Sequence, residues 1–219
     1  MRNLSLRIPT GDTIGLVGKT GVGKSTLALL LCRFYDPDEG RVMLHGRDIR
    51  EYAIAELRHS FAFVFQDTFL FSASIRDNIA YGRPGARFED IVHAASLACI
   101  HDFIMEQPDG YDTVIGERGV TLSGGQRQRI SIARAILHKP RFLILDACTS
   151  ALDTATERAV QEGLQSLSPG TTTIIIAHRL SSIEHADSIY VLDDGQIVES
   201  GPPDTLAREG EQFKRILQL

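Results

Sequence analysis

Gly18-Lys19-Thr20-Gly21-Val22-Gly23-Lys24-Ser25 is the stretch on which the reading of this chain turns. Its spacing is G-x-x-x-x-G-K-[ST], the pattern of a loop that cradles phosphates. The flanks agree with it. Thr13 to Val17 reads as a short buried strand, and Ser25 to Phe34 as a largely apolar helix that stops before Asp36-Pro37. A strand, a glycine-rich loop and a helix in that order aim backbone N–H groups and a helix N-terminus at an anion. Lys24 adds a positive charge for the β- and γ-phosphates, and the Ser25 hydroxyl can join a Mg²⁺ shell. A turn that only connects strand to helix is the alternative. The complete pattern with both flanks in place speaks against it.

Working outward, Asn3 to Ile8 alternates Leu4, Leu6 and Ile8 with polar residues, the pattern of a half-buried strand. Arg41 to Leu44 reads as a strand entering a turn at His45-Gly46, and Phe61 to Phe65 as another buried strand. From about Ala73 to Gln107 the pattern is helical, with Ile91, Ala95, Ala98 and Cys99 on one face. Phe142–Leu145 and Thr173–Ala177 are short, wholly apolar runs that suit parallel strands covered on both faces. Between them, Thr154 and Glu157 form a Thr-x-x-Glu capping box ahead of Val160, Leu164 and Leu167 at helical spacing. Ser188–Leu192 and Gln196–Ser200, joined by Asp193-Asp194-Gly195, read as a hairpin. The sum is an α/β core with a helical insertion.

The 219 residues are 43% hydrophobic and carry a formal charge of −5, so a core can be buried and no broad basic field argues for nucleic acid. Cys32, Cys99 and Cys148 form no C-x-x-C pair and fit a reducing compartment. No apolar stretch approaches the roughly 20 residues of a membrane helix. Any membrane role is therefore expected to come through a partner or a further segment, not by direct insertion.

A second motif is Leu122-Ser123-Gly124-Gly125-Gln126, ahead of a helix carrying Ile130, Ala133, Ile136 and Leu137. Ser123 and Gln126 make an S-x-x-Q capping box. Each glycine in that first turn costs up to about 1 kcal/mol relative to Ala. They make sense if something must approach the backbone closely.

With both motifs in place, the chain resembles the nucleotide-binding domain of an ATP-binding cassette (ABC) transporter. Leu122–Gln126 matches the family signature, Gln66 the Q-loop, Ser150-Ala151-Leu152-Asp153 the D-loop, and His178 the switch histidine. Gly116-Glu117-Arg118-Gly119 and Leu70 to Ile79 resemble exporter segments that contact coupling helices of the membrane domain. The resemblance implies a RecA-like core with a mainly parallel sheet (residues 1–71 and 137–219), a small antiparallel β part, and an inserted helical subdomain (72–136). It implies an ATP-binding domain that couples ATP binding and hydrolysis to export, with ATP and Mg²⁺ as ligands. Gly18, Thr20, Gly21, Val22, Gly23, Lys24, Ser25 and Thr26 would wrap the phosphates. Ser25, Gln66 and Asp146 would hold Mg²⁺, and His178, Gln66 and Asp153 would serve catalysis. Ser123, Gly124, Gly125 and Gln126 would reach ATP held by an opposite chain. The implied partners are a second nucleotide-binding domain and a transmembrane domain, and the implied location is the cytoplasmic side of a membrane.

The chain departs from that family at two places. The family puts Glu directly after the Asp of the apolar strand; here the run is Asp146-Ala147-Cys148-Thr149. Alanine accepts no proton, and a positioned general base typically contributes about 10²–10⁴-fold. Low turnover at this chain's own site is expected. A degenerate half of a heterodimer, an engineered trap and an error in the sequence are the three accounts. The heterodimer is favoured, because the signature is intact. A nucleotide-gated dimerisation clamp and a soluble, non-transport ABC ATPase stand as alternative functions. The second departure is the family's adenine-stacking aromatic, expected upstream of Asn3; that segment and the membrane domain are read as absent, and weakened ATP affinity is expected.

Overall fold

The computed structural model describes residues 1, 4–116, 119, 121–148, 151–165 and 170–218. Asn3, Glu117, Arg118, Thr149, Ser150 and Leu167, which entered the sequence reading, lie outside the described residues. The chain forms two compact units: residues 1–63, 141–146 and 170–219, and residues 64–140 and 147–169.

The first unit is built on a six-stranded sheet in the order β4-β5-β6-β1-β7-β8. The strands are β1 (Thr13–Gly18), β4 (Phe61–Val64), β5 (Phe142–Asp146), β6 (Thr172–Ile176), β7 (Ser188–Asp193) and β8 (Gln196–Gly201). β1 runs parallel to β6 and β7, β5 runs parallel to β6, and β8 returns antiparallel to β7. The hairpin closes through Asp194 and Gly195, both at positive φ, as a two-residue turn matched to strand twist requires. A short antiparallel pair, β2 (Met43–Leu44) and β3 (Arg47–Asp48), joins at His45-Gly46.

Alternate residues of β1 supply two cores. Ile14 and Leu16 pack with Leu27, Ala28 and Cys32 of α1 (Lys24–Leu31) and its end, together with Ile144, Ile174 and Ile176. Val17 packs with Ile189, Val191, Leu206 and Phe213 on the other face, the last two from α8 (Pro203–Glu209) and α9 (Glu211–Leu217). β1, buried from Ile14 to Gly18, is thereby covered on both sides. α1 ends earlier than its apolar run: Arg33 turns left-handed at φ 52, and Phe34 N–H donates to Leu29 O at 2.9 Å, closing the helix.

Residues 4–8 are not a strand. Leu4, Leu6 and Ile8 do pack against the first core, and Tyr190 Oη–H donates to Arg7 O at 2.9 Å. Period-two burial records one covered face, which an extended segment achieves without a ladder.

The second unit is helical: α3 (Ile75–Ala80), α4 (Phe88–Leu97), α5 (His101–Met105), α6 (Gly124–His138) and α7 (Thr154–Gln165). α6 packs on α3 and α4, and Ile130, Ala133 and Leu137 along it are buried. Ile91, Ala95 and Ala98 are buried as their spacing predicts, whereas Cys99 is half-buried, left-handed at φ 54, and its carbonyl accepts Arg129 Nη1–H at 2.5 Å.

The start of α7 corrects the capping reading. Asp153, not Thr154, caps the helix: its Oδ1 accepts the N–H of Ala155 at 3.1 Å and of Thr156 at 3.0 Å, and its Oδ2 accepts Thr156 Oγ1–H at 2.6 Å. Aspartate is the better cap, and one position earlier it reaches both second- and third-residue amides. Glu157 then falls one residue too far along for the reciprocal bond.

Lys139, directly after α6, is exposed and left-handed at φ 54, ψ 56. A Cβ in that region costs about 1–2 kcal/mol, while the lysine charge at a helix C-terminus returns only about 0.3–1 kcal/mol. Lys139→Gly is expected to stabilise the chain by about 0.5–1 kcal/mol, read from the denaturant midpoint at unchanged slope. An unchanged or lower midpoint would count against that backbone geometry.

Candidate nucleotide site

β1 delivers the chain into the glycine-rich loop, and α1 begins at Lys24. Gly23 sits at φ 109, ψ 11 as N-cap, a left-handed conformation that a side chain resists, and Gly21 at φ 83 has open space where a Cβ would stand. α1 has no side-chain cap and no acidic residue in its first turn. Its first amides are thus left to an anion, with the helix dipole favouring negative charge. Ser25 and Thr26 are exposed at this end.

Lys24 is 6% exposed. Its Nζ–H groups donate to Gly18 O at 2.7 Å and Lys19 O at 3.0 Å, so the ammonium staples the loop from beneath. Burial lowers the proton affinity of Lys24 and the Asp146 carboxylate partly restores it.

The register explains why Asp146 and His178 join this loop. Asp146, 8% exposed, ends β5 opposite Ile176 of β6, and Ala177 N–H donates to Leu16 O of β1 at 3.1 Å. The carboxyl ends of three neighbouring parallel strands therefore carry Asp146, Ala177-His178 and Gly18 side by side, where α/β sheets hold their ligands. His178 is exposed. Burial and the Lys24 ammonium lower the proton affinity of its imidazole, against the pull of Asp146.

The residues fit a nucleotide phosphate with Mg²⁺. Bare helix amides and a buried lysine suit the anion; an acidic oxygen and a free hydroxyl, Asp146 and Ser25, suit a hard cation. Among the described residues no three His, Cys, Asp or Glu cluster to hold a metal by themselves. A Mg²⁺ here would complete its shell with phosphate oxygens and water.

The remaining sequence-derived candidates belong to the second unit. Gln66 is exposed just after β4. The Ser123–Gln126 capping box is formed: Ser123 N–H donates to Gln126 Oε1 at 2.7 Å and Gln126 N–H to Ser123 Oγ at 3.2 Å. Ser123 Oγ acts in this box as an acceptor, and a hydroxyl can donate as well. The two glycines differ. A Cβ on Gly125 would stand 3.2 Å from Ala151 O and 3.1 Å from Leu152 Cδ2, so the chain's own 151–152 segment is the close neighbour. A Cβ on Gly124 would meet Ala151 Cβ at an ordinary 3.5 Å, so packing within the chain leaves that glycine open to an outside ligand. Asp153 spends both carboxylate oxygens on capping α7. Ala147 is left-handed at φ 44.

A family model described as ABC transporter matches residues 1–150. The chain belongs to the ABC transporter family. This ABC domain is 50% identical, over all of its 219 residues, to the putative multidrug export ATP-binding/permease protein YgaD of Bacillus subtilis, covering 38% of it. It is 53% identical over 220 residues to the ATP-dependent lipid A-core flippase of Escherichia coli, with 100% of this chain and 38% of the flippase covered. A bacterial Atm1-family ABC exporter solved with ATP bound matches with a TM-score of 0.94 and 45% identity, over 98% of this chain and 38% of the exporter chain. The domain thus spans little more than a third of these exporter relatives, and no helix among its described residues is long and apolar enough to cross a membrane.

Arg134 was not singled out by sequence, and Asn78 entered only as part of the Leu70 to Ile79 segment. Their contact joins residues 56 positions apart, and neither sits in a phosphate or capping pattern.

Proposed function

We propose that this domain binds ATP–Mg²⁺ at Gly18–Thr26 and, paired with a second nucleotide-binding domain on the cytoplasmic side of a membrane, drives export through a transmembrane partner. The observation that carries the reading is the convergence of the loop, Asp146 and His178 at the ends of β1, β5 and β6. The names of the exporter relatives support the transport assignment.

The residues act as follows. Gly21, Gly23 and the first amides of α1 orient the phosphates. Lys24 neutralises charge as the γ-phosphoryl group departs. Ser25 and Asp146 would hold Mg²⁺, which supplies Lewis-acid neutralisation of phosphate oxygens. His178 donates a hydrogen bond to the γ-phosphate. Gln66 and Asp153 keep the roles that their sequence match implies. Ser123, Gly124 and Gln126 meet the nucleotide of the opposing chain, with the Ser123 hydroxyl as donor.

Ala147 decides the rate. Without a carboxylate after Asp146, positioning and charge neutralisation remain and general-base help is lost, so this chain's own site turns over slowly. An intact signature beside a disabled site fits one half of a heterodimer whose partner retains its Glu. On its own, the chain then acts as a nucleotide-gated clamp, and Ala147 is the observation favouring that second reading.

Static light scattering tests it. With ATP–Mg²⁺ the chain is expected to shift from monomer to dimer, and the dimer to be long-lived, because slow hydrolysis resolves it slowly. ADP–Mg²⁺, or ATP with the metal chelated, should leave monomer. No nucleotide-dependent change in mass would sink the clamp.

A further inference from the structure

The end of the sheet opposite the nucleotide site holds a cleft of about 260 Å³, lined by Thr10, His45, Arg141, Phe142 and Gly170. All five belong to the first unit. The register brings them together. Phe142 opens β5 opposite Thr172 of β6, and Thr173 pairs with Thr13 of β1. Thr10, Arg141 and Gly170 therefore lie just ahead of three neighbouring parallel strands, and His45 comes from the turn between β2 and β3. Asp146 closes β5 at its other end, about 13 Å along the strand. The cleft and the phosphate loop are thus at opposite ends of one sheet.

Backbone bonds fix the walls. Arg141 N–H and Phe142 N–H both donate to Ser60 O at 3.0 Å, and Thr172 N–H donates to Arg141 O at 2.9 Å. Gly11 N–H donates to Thr172 Oγ1 at 2.9 Å. The Phe142 ring is held by stacking on Phe61, with centroids 4.8 Å apart and planes at 25°. The His45 ring lies 6.4 Å from it, tilted by 48°. Gly170, at φ 104, has open space where a Cβ would stand. Among the described residues, the Thr10 hydroxyl, the His45 imidazole and the Arg141 guanidinium have no hydrogen-bond or ion-pair partner, and no acidic side chain lines the cleft. Three unengaged donors thus converge beside an anchored aromatic floor.

We propose that this cleft is a second ligand site, and that it takes a small aromatic carboxylate. The ligand ring lies on Phe142, and its carboxylate takes the planar donor fork of Arg141, with Thr10 Oγ–H and a His45 N–H beside it. The volume falls short of the roughly 300 Å³ at which pockets for drug-sized ligands begin, so one or two fused rings fit and a nucleotide does not. Occupancy stabilises the folded chain without touching the phosphate loop.

Protein NMR on the whole chain, titrated with sodium 2-naphthoate, tests the proposal. The amides of Thr10, His45, Arg141, Phe142 and Gly170 are expected to shift saturably with a Kd of about 1 mM, the strength that small-ligand efficiency allows. Saturating ATP–Mg²⁺ should change that Kd by less than about twofold, since the two sites are separate. Arg141→Gln should weaken binding about tenfold, the loss of one charge-assisted fork. His45→Asn should weaken it about threefold; asparagine accepts the left-handed turn that His45 holds at φ 50, so the hairpin is kept. Both side chains are exposed, so neither variant threatens folding. The uncharged alcohol 2-naphthalenemethanol should bind at least about tenfold more weakly than the carboxylate. No saturable shift at these amides, displacement by ATP, or an unchanged Kd in Arg141→Gln would overturn the site. Equal binding of the alcohol would reduce it to an apolar crevice, and equal shifts from inorganic phosphate to a bare anion site; either result overturns the aromatic carboxylate.

Discussion

Lys24→Ala is expected to lower ATP–Mg²⁺ affinity by about 100-fold, the effect of losing about 3 kcal/mol. The ammonium has three donors. Two hold Gly18 O and Lys19 O, and the third is left for phosphate oxygens. Charge-assisted hydrogen bonds are each worth about 1.5–3 kcal/mol, and removal of the side chain also leaves the buried Gly18 carbonyl without its partner. The loss is therefore compound: the anion forfeits its cation, and the loop forfeits the staple that shapes it. Burial of the lysine keeps salt from screening much of this. Lys24→Arg should fail as well, because a planar guanidinium does not occupy the place of a compact ammonium. Isothermal calorimetry reads the result. Equal affinity for wild type and Lys24→Ala would remove the loop from the nucleotide site.

The parts of this site that were legible in sequence are those whose geometry is local. The phosphate loop, its strand and its helix occupy consecutive residues, and so does the Ser123–Gln126 capping box. In the capping box, residue type and spacing imply the hydrogen bonds that the structure shows. The Thr154 box failed on the same local ground. Two candidates competed for one helix end, and Asp153, the stronger acceptor one residue earlier, took it. Leu4–Ile8 shows the limit of periodicity, which reports a buried face and not a ladder. Gly125 shows a different limit: the closeness of a backbone neighbour could be read, but not that Ala151 of the same chain is that neighbour. The Arg134–Asn78 contact was out of reach, since the two positions meet only once α3 and α6 pack.

Ala147→Glu is expected to raise steady-state ATP turnover by at least about 100-fold at concentrations where the chain dimerises. The substitution adds little backbone strain, because Ala147 already holds a Cβ at φ 44 and glutamate bears the same penalty. Ala147 is 9% exposed, so a carboxylate there would be partly desolvated, which raises its pKa toward the range of an effective base. A mixed dimer separates the two halves of the mechanism. One copy carries Ala147→Glu, the other keeps Ala147, and the pair is isolated through two different affinity tags. The only competent site is then the one with the restored carboxylate, and the signature it needs belongs to the other copy. Ser123→Arg placed on the Ala147 copy should abolish turnover, because it puts bulk and a side chain that cannot replace the serine hydroxyl where the γ-phosphate docks. The same Ser123→Arg on the Ala147→Glu copy should leave most of the turnover intact, since that signature faces a site already disabled. Equal effects from both placements would mean that the signature does not act across the pair. An unchanged rate in Ala147→Glu would mean that the missing carboxylate is not what limits this chain.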